Sequence, residues 1–556
     1  MDRRIRGAAR IRVRTVMSAV AVVAALAPLG VDSAAQAVAP APAATIPADS
    51  TPATAAFPHP SPVSARWTSR QVAPGVTVRS GTEWRSDAAP SWTVAVQRPA
   101  ASRLTGAATA VEVNTKAWAD DTAAALRAAG ADPRVERVDW PDYTDTPHGT
   151  MGYRVRTGAY GTQADASAAA KTLTAAGFRT AVEWTGYDAE QPADVESIHI
   201  AVIDPRVFRG TVTGTHDGNV AQRETTSSVA AKLGSLVAVN GGFFVTSDND
   251  GVQGTQSALG VYDGRLASMA AGARAALILD HGGRHARIAD LTSTATARAD
   301  GSSYAVQGVN RVPGTVRDCG RPGATPSELP WQDVTCHETD DLVLFTPLFG
   351  AALPTGSGVQ AVLDAAGRVV SVGARGGRVP AGGSVLQGIG SAADWLTAHA
   401  RTGQRVAVDE TVRDASGRIV PLGRGDSVVS AAPTLVENGR ISIDAATEGT
   451  VDPGDLSFGY AWANVRQPRT MAGIDAKGRL LLVTVDGRRT GDGSEGFTLH
   501  EAAAYMRSLG AVQALNLDGG GSTAFTRNGT LLNHPSDATG ERPVGDTVHV
   551  LPARFH

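Results

Sequence analysis

Two aspartates stand at the ends of apolar runs, each followed by glycine. Asp518 opens "DGGGST" (518–523) directly behind "VQALNL" (512–517), and Asp486 follows "RLLLVTV" (479–485) ahead of Gly487. A carboxylate at a strand end can point into a cleft, and two on strands bracketing one helix could share that cleft. Glycoside hydrolysis needs such a pair, one group at the anomeric carbon or its water and one near the leaving oxygen. Each aspartate alone is equally a turn-capping residue of the Asx type. Gly519, Gly520 and Gly521 expose adjacent N–H groups with no side chains over them. That nest can hold an anion or oxyanion, with the Ser522 and Thr523 hydroxyls as further donors. The loop has no lysine for a phosphate-binding P-loop and is not the G-x-S-x-G turn of a hydrolase nucleophile.

Upstream, "VNGGFF" (239–244) repeats the design of strand, polar residue and glycines. Asn240 could bind a sugar hydroxyl, while Phe243 and Phe244 could form a platform for a ring or fill core, the latter being the expected fate of at least one. Arg469 in "QPRT" and Arg542 in "ERPVGD" could each clamp a phosphate or be solvated surface charges. Histidine pairs at metal-ligand spacing are absent, so no metal site and no cofactor are expected. The oxygen-rich "SDNDG" (247–251) could take calcium, but it lacks the spacing of a full EF-hand loop and reads as a solvated turn. Cys319 and Cys336, the only cysteines, fit one disulfide in an oxidising compartment.

The elements that must position these groups are mostly strands. From about Ser197 onward, short runs such as "IHIAVID", "SLVAVN", "DLVLFTP" and "TVHVLP" are bounded by Gly, Asp and Pro. One helix is well signalled: Thr498 and Glu501 form a capping box at its start, and Gly510 suits the left-handed stop. Beyond the glycine loop, "TAFTR" and "TLLN" flank an Asn528-Gly529 hairpin turn. Earlier, "LRAAGADPRVERVDW" (126–140) echoes "LTAAGFRTAVEW" (173–184), two Ala-rich helices that stop at Gly130 and Gly177 and lead into strands. The expected fold class is α+β: a strand-rich C-terminal domain preceded by a small βαββαβ module.

At 556 residues the chain is long enough for two or three domains, and its 42% hydrophobic and 19% charged content is that of a soluble globular protein. Residues 1–37 read as a secretory signal peptide, with Arg3, Arg4, Arg6, Arg10, Arg12 and Arg14 ahead of "VMSAVAVVAALAPLG" and an Ala35-Gln36-Ala37 cleavage site. An uncleaved anchor is the minor alternative. Cleavage would change the formal net charge from −3 to about −7, which disfavours nucleic acid as a partner. No membrane span is expected in the mature chain, which is read as secreted or associated with the cell envelope. Residues 38–66, rich in Pro, Ala and Thr, read as an extended linker.

Two family resemblances sharpen these expectations. "YRVRTGAYGTQADASAAAKTLTAAGF" (153–178) is similar to the sporulation-related (SPOR) repeat, over about 110–187 within an N-terminal region 67–191. That resemblance implies a compact module whose relatives commonly bind bacterial cell-wall glycan; a purely structural insertion is the alternative. "AVNGGFF", "PRTMAGIDAKGRLLLVTVDGR", "SEGFTLHEAAAYMRSLGAVQALNLDGGGSTAF" and "LLNHPSD…ERPVGD" together resemble the phosphodiester glycosidase family, within a domain placed at 192–556. The resemblance implies hydrolysis of the glycosyl bond of a sugar-1-phosphodiester, GlcNAc-1-phosphodiester-like, in cell envelope or extracellular polymer. It carries Asp518 and Asp486 over as catalytic candidates. As substrate-binding candidates it carries Asn240, Gly241, Gly242, Arg469, Thr470, Asn516, Gly519, Gly520, Gly521, Ser522, Asn533, Ser536, Asp537 and Arg542. One departure is Ser430-Ala431-Ala432-Pro433, where many members have a glycine-rich "GGP"; its added β-carbons could narrow a substrate pocket. Two other functions stay open: a non-catalytic binder of cell-wall glycan, and an exopolysaccharide-processing enzyme acting on another sugar. The sequence carries no signal for oligomeric state.

Overall fold

The computed structural model describes residues 64–553 except 86–87, 105, 107, 192, 321–328 and 491–492. The expected signal peptide and nearly all of the expected linker therefore lie outside the described residues. Two apolar faces organise the C-terminal part. An eight-stranded antiparallel sheet has the order Ser64–Ala73, Val76–Trp84, Val195–Ile203, Leu480–Val485, Arg469–Asp475, Ala511–Asn516, Thr434–Glu437 and Arg440–Ile441. Its central strands are covered on both sides. Leu480 and Leu482 join the core shared with the other sheets, while Leu481, Val483 and Val485 pack toward the helix Leu499–Ser508. Alternation along a strand sends neighbours to opposite faces, so burial of both faces makes "LLLV" a continuous apolar run.

The helix forms as its sequence predicts. Thr498 Oγ1 accepts from the Glu501 N–H at 3.1 Å while Glu501 Oε2 accepts from the Thr498 N–H at 2.9 Å, and Leu499, Ala502, Ala503 and Met506 are buried at helical spacing. Gly510, at φ 91°, ends it. The helix carries the chain across so that Leu480–Val485 and Ala511–Asn516 run the same way, both antiparallel to the Arg469–Asp475 strand between them. Their C-terminal ends, and hence Asp486 and Asp518, reach the same edge of the sheet.

A five-stranded sheet ordered Thr211–Thr215, Thr547–Leu551, Val237–Asn240, Phe525–Arg527 and Thr530–Leu531 supplies the opposite wall. Asn528 and Gly529 both have positive φ, as the two-residue hairpin requires. Two further sheets, of seven and five strands, enclose a second core with the helix Ser391–His399. Cys319 and Cys336 form the expected disulfide.

The N-terminal module shows the βαββαβ order: Trp92–Val96, helix Lys116–Ala128, Pro133–Asp139, Thr150–Tyr160, helix Gln163–Ala175 and Thr180–Trp184, with a small hairpin inserted after the first strand. Gly130 and Gly177 stop the helices at φ 83° and 94°. The module is joined to the rest by buried polar contacts. Tyr143 donates to Asn464 Oδ1 at 2.8 Å, Trp184 Nε1 donates to Glu495 at 2.9 Å, and Arg466 Nη1 donates to the Gly186 and Asp188 carbonyls at 2.8 Å each. Among the described residues no helix is long and apolar enough to cross a membrane.

Candidate active site

Asp518 leaves the Ala511–Asn516 strand at the level of Arg469 on the neighbouring strand. Burial raises its carboxyl to about 7, against the opposing pull of the Ser522 hydroxyl, the Arg542 charge and the Gly519 N–H. The Gly519 N–H donates to Asp518 Oδ1 at 2.9 Å, while Ser522 Oγ is buried without a hydrogen bond of good geometry among the described residues. A carboxyl that changes charge near neutral pH suits proton transfer.

The three glycines have three separate reasons. A β-carbon at Gly519 would lie 2.7 Å from the Pro468 carbonyl oxygen. Gly520 has φ 58° and its site for a β-carbon is 3.2 Å from Arg488 Nη2. A β-carbon at Gly521 would overlap both Arg542 Nη2 and Asp537 Oδ1. The expected anion nest is largely used up internally: the Gly519 N–H serves Asp518, the Gly520 N–H the Pro468 carbonyl, and the Ser522 N–H the Gly519 carbonyl. The glycines chiefly let cationic side chains approach the loop.

Arg542 and Arg488 do so, and Arg469 passes under the loop with its Cδ 3.8 Å from the β-carbon position of Gly519. Arg542 makes a two-point pair with Asp537, at 2.7 and 3.0 Å. Arg488, held by Gln467 Oε1 at 2.6 Å, lies among the charges of Arg542, Asp537 and Asp518. Arg469 is fully buried beneath the loop, its Nε donating to the Phe497 carbonyl at 2.8 Å and its Nη2 to the Trp462 carbonyl, with its plane 4.7 Å over the Trp462 ring. Its Nη1 has no partner among the described residues, and burial pulls its pKa down to about 9. A buried guanidinium with a free donor is a costly arrangement that an anion would relieve.

Asp486 is 1% exposed and its carboxyl is raised by burial, with His534 opposing. Its Oδ2 accepts from the His534 N–H at 3.0 Å and lies 3.2 Å from His534 Nδ1, while its Oδ1 has no partner among the described residues. The loop from Asn533 to Arg542 thus contacts Asp486 through His534 and meets the Asp518 loop at Gly521 through Asp537 and Arg542. Ser536 Oγ, within it, is buried and likewise without a partner among the described residues.

The asparagines expected to meet substrate are placed as struts instead. Asn240 Nδ2 donates to the Asp518 carbonyl at 2.7 Å, and its Oδ1 accepts from Thr470 Oγ1 at 2.6 Å and from the Ala524 N–H at 3.1 Å. Asn533 accepts from the Phe525 N–H and donates to the Thr523 carbonyl. Asn516 donates to the Ala432 and Leu517 carbonyls. All three are buried and fix the loop around Asp518, with Asn516 Oδ1 left without a partner among the described residues. Gly241 and Gly242 act in a similar way, since their N–H groups meet the Asp546 carbonyl and carboxylate, and a β-carbon on either would overlap Asp546 or Ser430. Phe243 and Phe244 are both core, and Ala431 and Ala432 are fully buried, so the 430–433 departure faces core rather than a cleft. Asp250 of "SDNDG" is held by Arg317 at 3.3 Å, and no group of acids or histidines able to hold a metal occurs among the described residues.

Residues 357–551 match the model of the phosphodiester glycosidase family, and 110–182 match the SPOR domain. A solved protein of Burkholderia pseudomallei K96243, described as exported, is 34% identical, with 89% of this chain and 97% of that one aligned at a TM-score of 0.76. Residues 357–551 thus carry a phosphodiester glycosidase domain. The chain is 37% identical over 133 residues to N-acetylglucosamine-1-phosphodiester alpha-N-acetylglucosaminidase of Bos taurus, a match that spans 23% of each protein. A hypothetical protein from Synechocystis shares the fold, at 16% identity and a TM-score of 0.50 over 88% of this chain and 79% of that one.

The sequence signals missed Arg488, His534 and Trp462. His534 stands in the "NHPSD" stretch and Arg488 directly after Asp486-Gly487, so proximity to the motif marks both. Nothing local marks Trp462, whose role depends on Arg469 reaching it in space.

Proposed function

We propose that the chain is an exported hydrolase that cleaves the glycosyl bond of a sugar-1-phosphodiester, with a GlcNAc-1-phosphodiester as the first substrate to test. The observation that carries this reading is the convergence of Arg488 and Arg542 on the loop that begins with Asp518. Guanidinium groups match phosphate oxygens in charge and planar geometry, and a carboxyl poised near pH 7 beside them suits the sugar carbon. Arg488 and Arg542 hold the diester, with Arg469 as a buried positive charge behind them, while Asp518 acts at the anomeric centre as nucleophile or general base. A phosphate diester leaves readily, so little help is needed from a general acid.

Export is supported by the leader-like N terminus and by the description of the Burkholderia relative.

The test is hydrolysis of a GlcNAc-1-phosphodiester in 18O-labelled water. Label recovered in the sugar is the expected result; label in the phosphate would mean phosphorus–oxygen cleavage and overturn the assignment. No turnover of any sugar phosphodiester, with retained adsorption to cell-wall glycan, would favour the non-catalytic reading.

A further inference from the structure

A second cavity, of about 890 Å³ including its mouth, lies against the Leu499–Ser508 helix, where that helix meets the Val76–Trp84 and Val195–Ile203 strands. Its walls combine aromatic faces with carboxylates. Trp84 is 38% exposed at the rim, and Phe497 and Tyr505 stand with ring centroids 5.2 Å apart. Glu83 and Glu196 are direct cross-strand partners and so project from the same face of the sheet. Like charges in that relation repel.

Glu196 is the more deeply buried, at 6% exposure. Its Oε2 accepts from Ser494 Oγ at 2.9 Å and from the Gly496 N–H at 3.0 Å, whereas its Oε1 has no partner among the described residues. Glu501, the third carboxylate of the lining, is already matched by Arg466, whose Nε lies 3.0 Å from each of its oxygens. Glu83 has no ion pair among the described residues, although the charges of Arg85 and Arg79 act on it. Burial raises the carboxyls of both Glu83 and Glu196.

We propose that this cavity binds an organic ammonium group, which places its charge between Glu83 and Glu196 and its carbon skeleton against Trp84, Phe497 and Tyr505. Aromatic faces attract cations that have shed their water, and Glu83 and Glu196 face one another beside them. The donors of an ammonium also satisfy the orphan Glu196 oxygen, which a neutral ligand without a donor would leave unpaired. The same chemistry could arrive on an amino sugar or on an alkylamine side chain. The cavity is distinct from the strand-end acids, although Phe497 borders both: its ring lines the cavity and its carbonyl receives Arg469.

Isothermal titration of the full chain, at fixed ionic strength, tests this with glucosamine, n-butylammonium and N-acetylglucosamine as probes. The two ammonium compounds should bind saturably, with Kd on the order of 1 mM, and N-acetylglucosamine should not. Tighter binding of glucosamine would point to an amino sugar, and tighter binding of n-butylammonium to an alkylamine. Glu196→Gln and the rim substitution Trp84→Ala, which removes no core side chain, should each weaken binding about tenfold or more. Asp518→Asn should leave it unchanged. Absence of saturable ammonium binding, equal binding of N-acetylglucosamine, indifference to Trp84→Ala, or loss in Asp518→Asn would each overturn the proposal.

Discussion

At the scale of single residues, the chemistry depends on charges that the fold keeps apart from water. Gly521 shows how small the tolerance is. A β-carbon there would displace the Arg542–Asp537 pair, so Gly521→Ala should lower kcat/KM for a phosphodiester at least about tenfold, a loss of about 1.4 kcal/mol in transition-state binding. Steady-state kinetics checks this, and an unchanged kcat/KM would remove Arg542 from the site. Arg469→Lys keeps a positive charge but loses the planar donors to Trp462 and Phe497, so KM should rise more than kcat falls. Both strand-end acids and Arg542 were legible in the sequence, because aspartate after an apolar run and arginine in a proline-flanked loop are local patterns. The strut role of Asn240 was not. It depends on Thr470 and Ala524, 230 and 284 residues away along the chain.

At the scale of elements, the helix Leu499–Ser508 sets the relative position of the two acids, because it links the strands that carry them. Its capping box was readable from Thr498 and Glu501 alone. Thr498→Ala removes the cap acceptor and should cost about 1 kcal/mol of stability, measured as a shift in the denaturant midpoint without a change in slope. The glycine loop was legible as an anion nest but functions differently. Its amides are spent on Asp518, Pro468 and Gly519, and what the glycines provide is clearance for arginines. Clearance is a property of what stands opposite, which a local stretch of sequence does not contain.

At the scale of the whole molecule, the SPOR module is built into the rest of the chain. The sheet face turned from its helices buries Arg154 and Arg156, which pair with Asp188. Asp188 in turn bridges to Val465, next to Arg466. Tyr143, 1% exposed, reaches the short helix Tyr460–Ala463 that carries Trp462. The module thus braces the segment that holds Arg469. Calorimetric unfolding should therefore show one cooperative transition for module and C-terminal part together; two separate transitions would contradict this. The internal echo at 126–140 and 173–184 made the module legible, but not its attachment, which uses polar residues scattered along the chain.

The central claim is that Asp518 does the chemistry at the sugar carbon, and its titration gives the most direct test. Its carboxyl is raised to about 7 in the folded chain, from about 4 when unfolded. The folded state therefore holds the proton more tightly, and this group's contribution to stability declines as pH rises from about 4 to about 7. Activity runs the other way, because a nucleophile or base must be ionised. The decisive measurement is kcat/KM for a GlcNAc-1-phosphodiester against pH, for the wild type and for Asp518→Asn. The account expects activity to rise through an inflection near pH 7 in the wild type and to be about 10²–10⁴-fold lower in the variant, whose stability declines less steeply over the same interval because Glu448 and Asp546 remain. Equal rates from the two proteins across the pH range would contradict it.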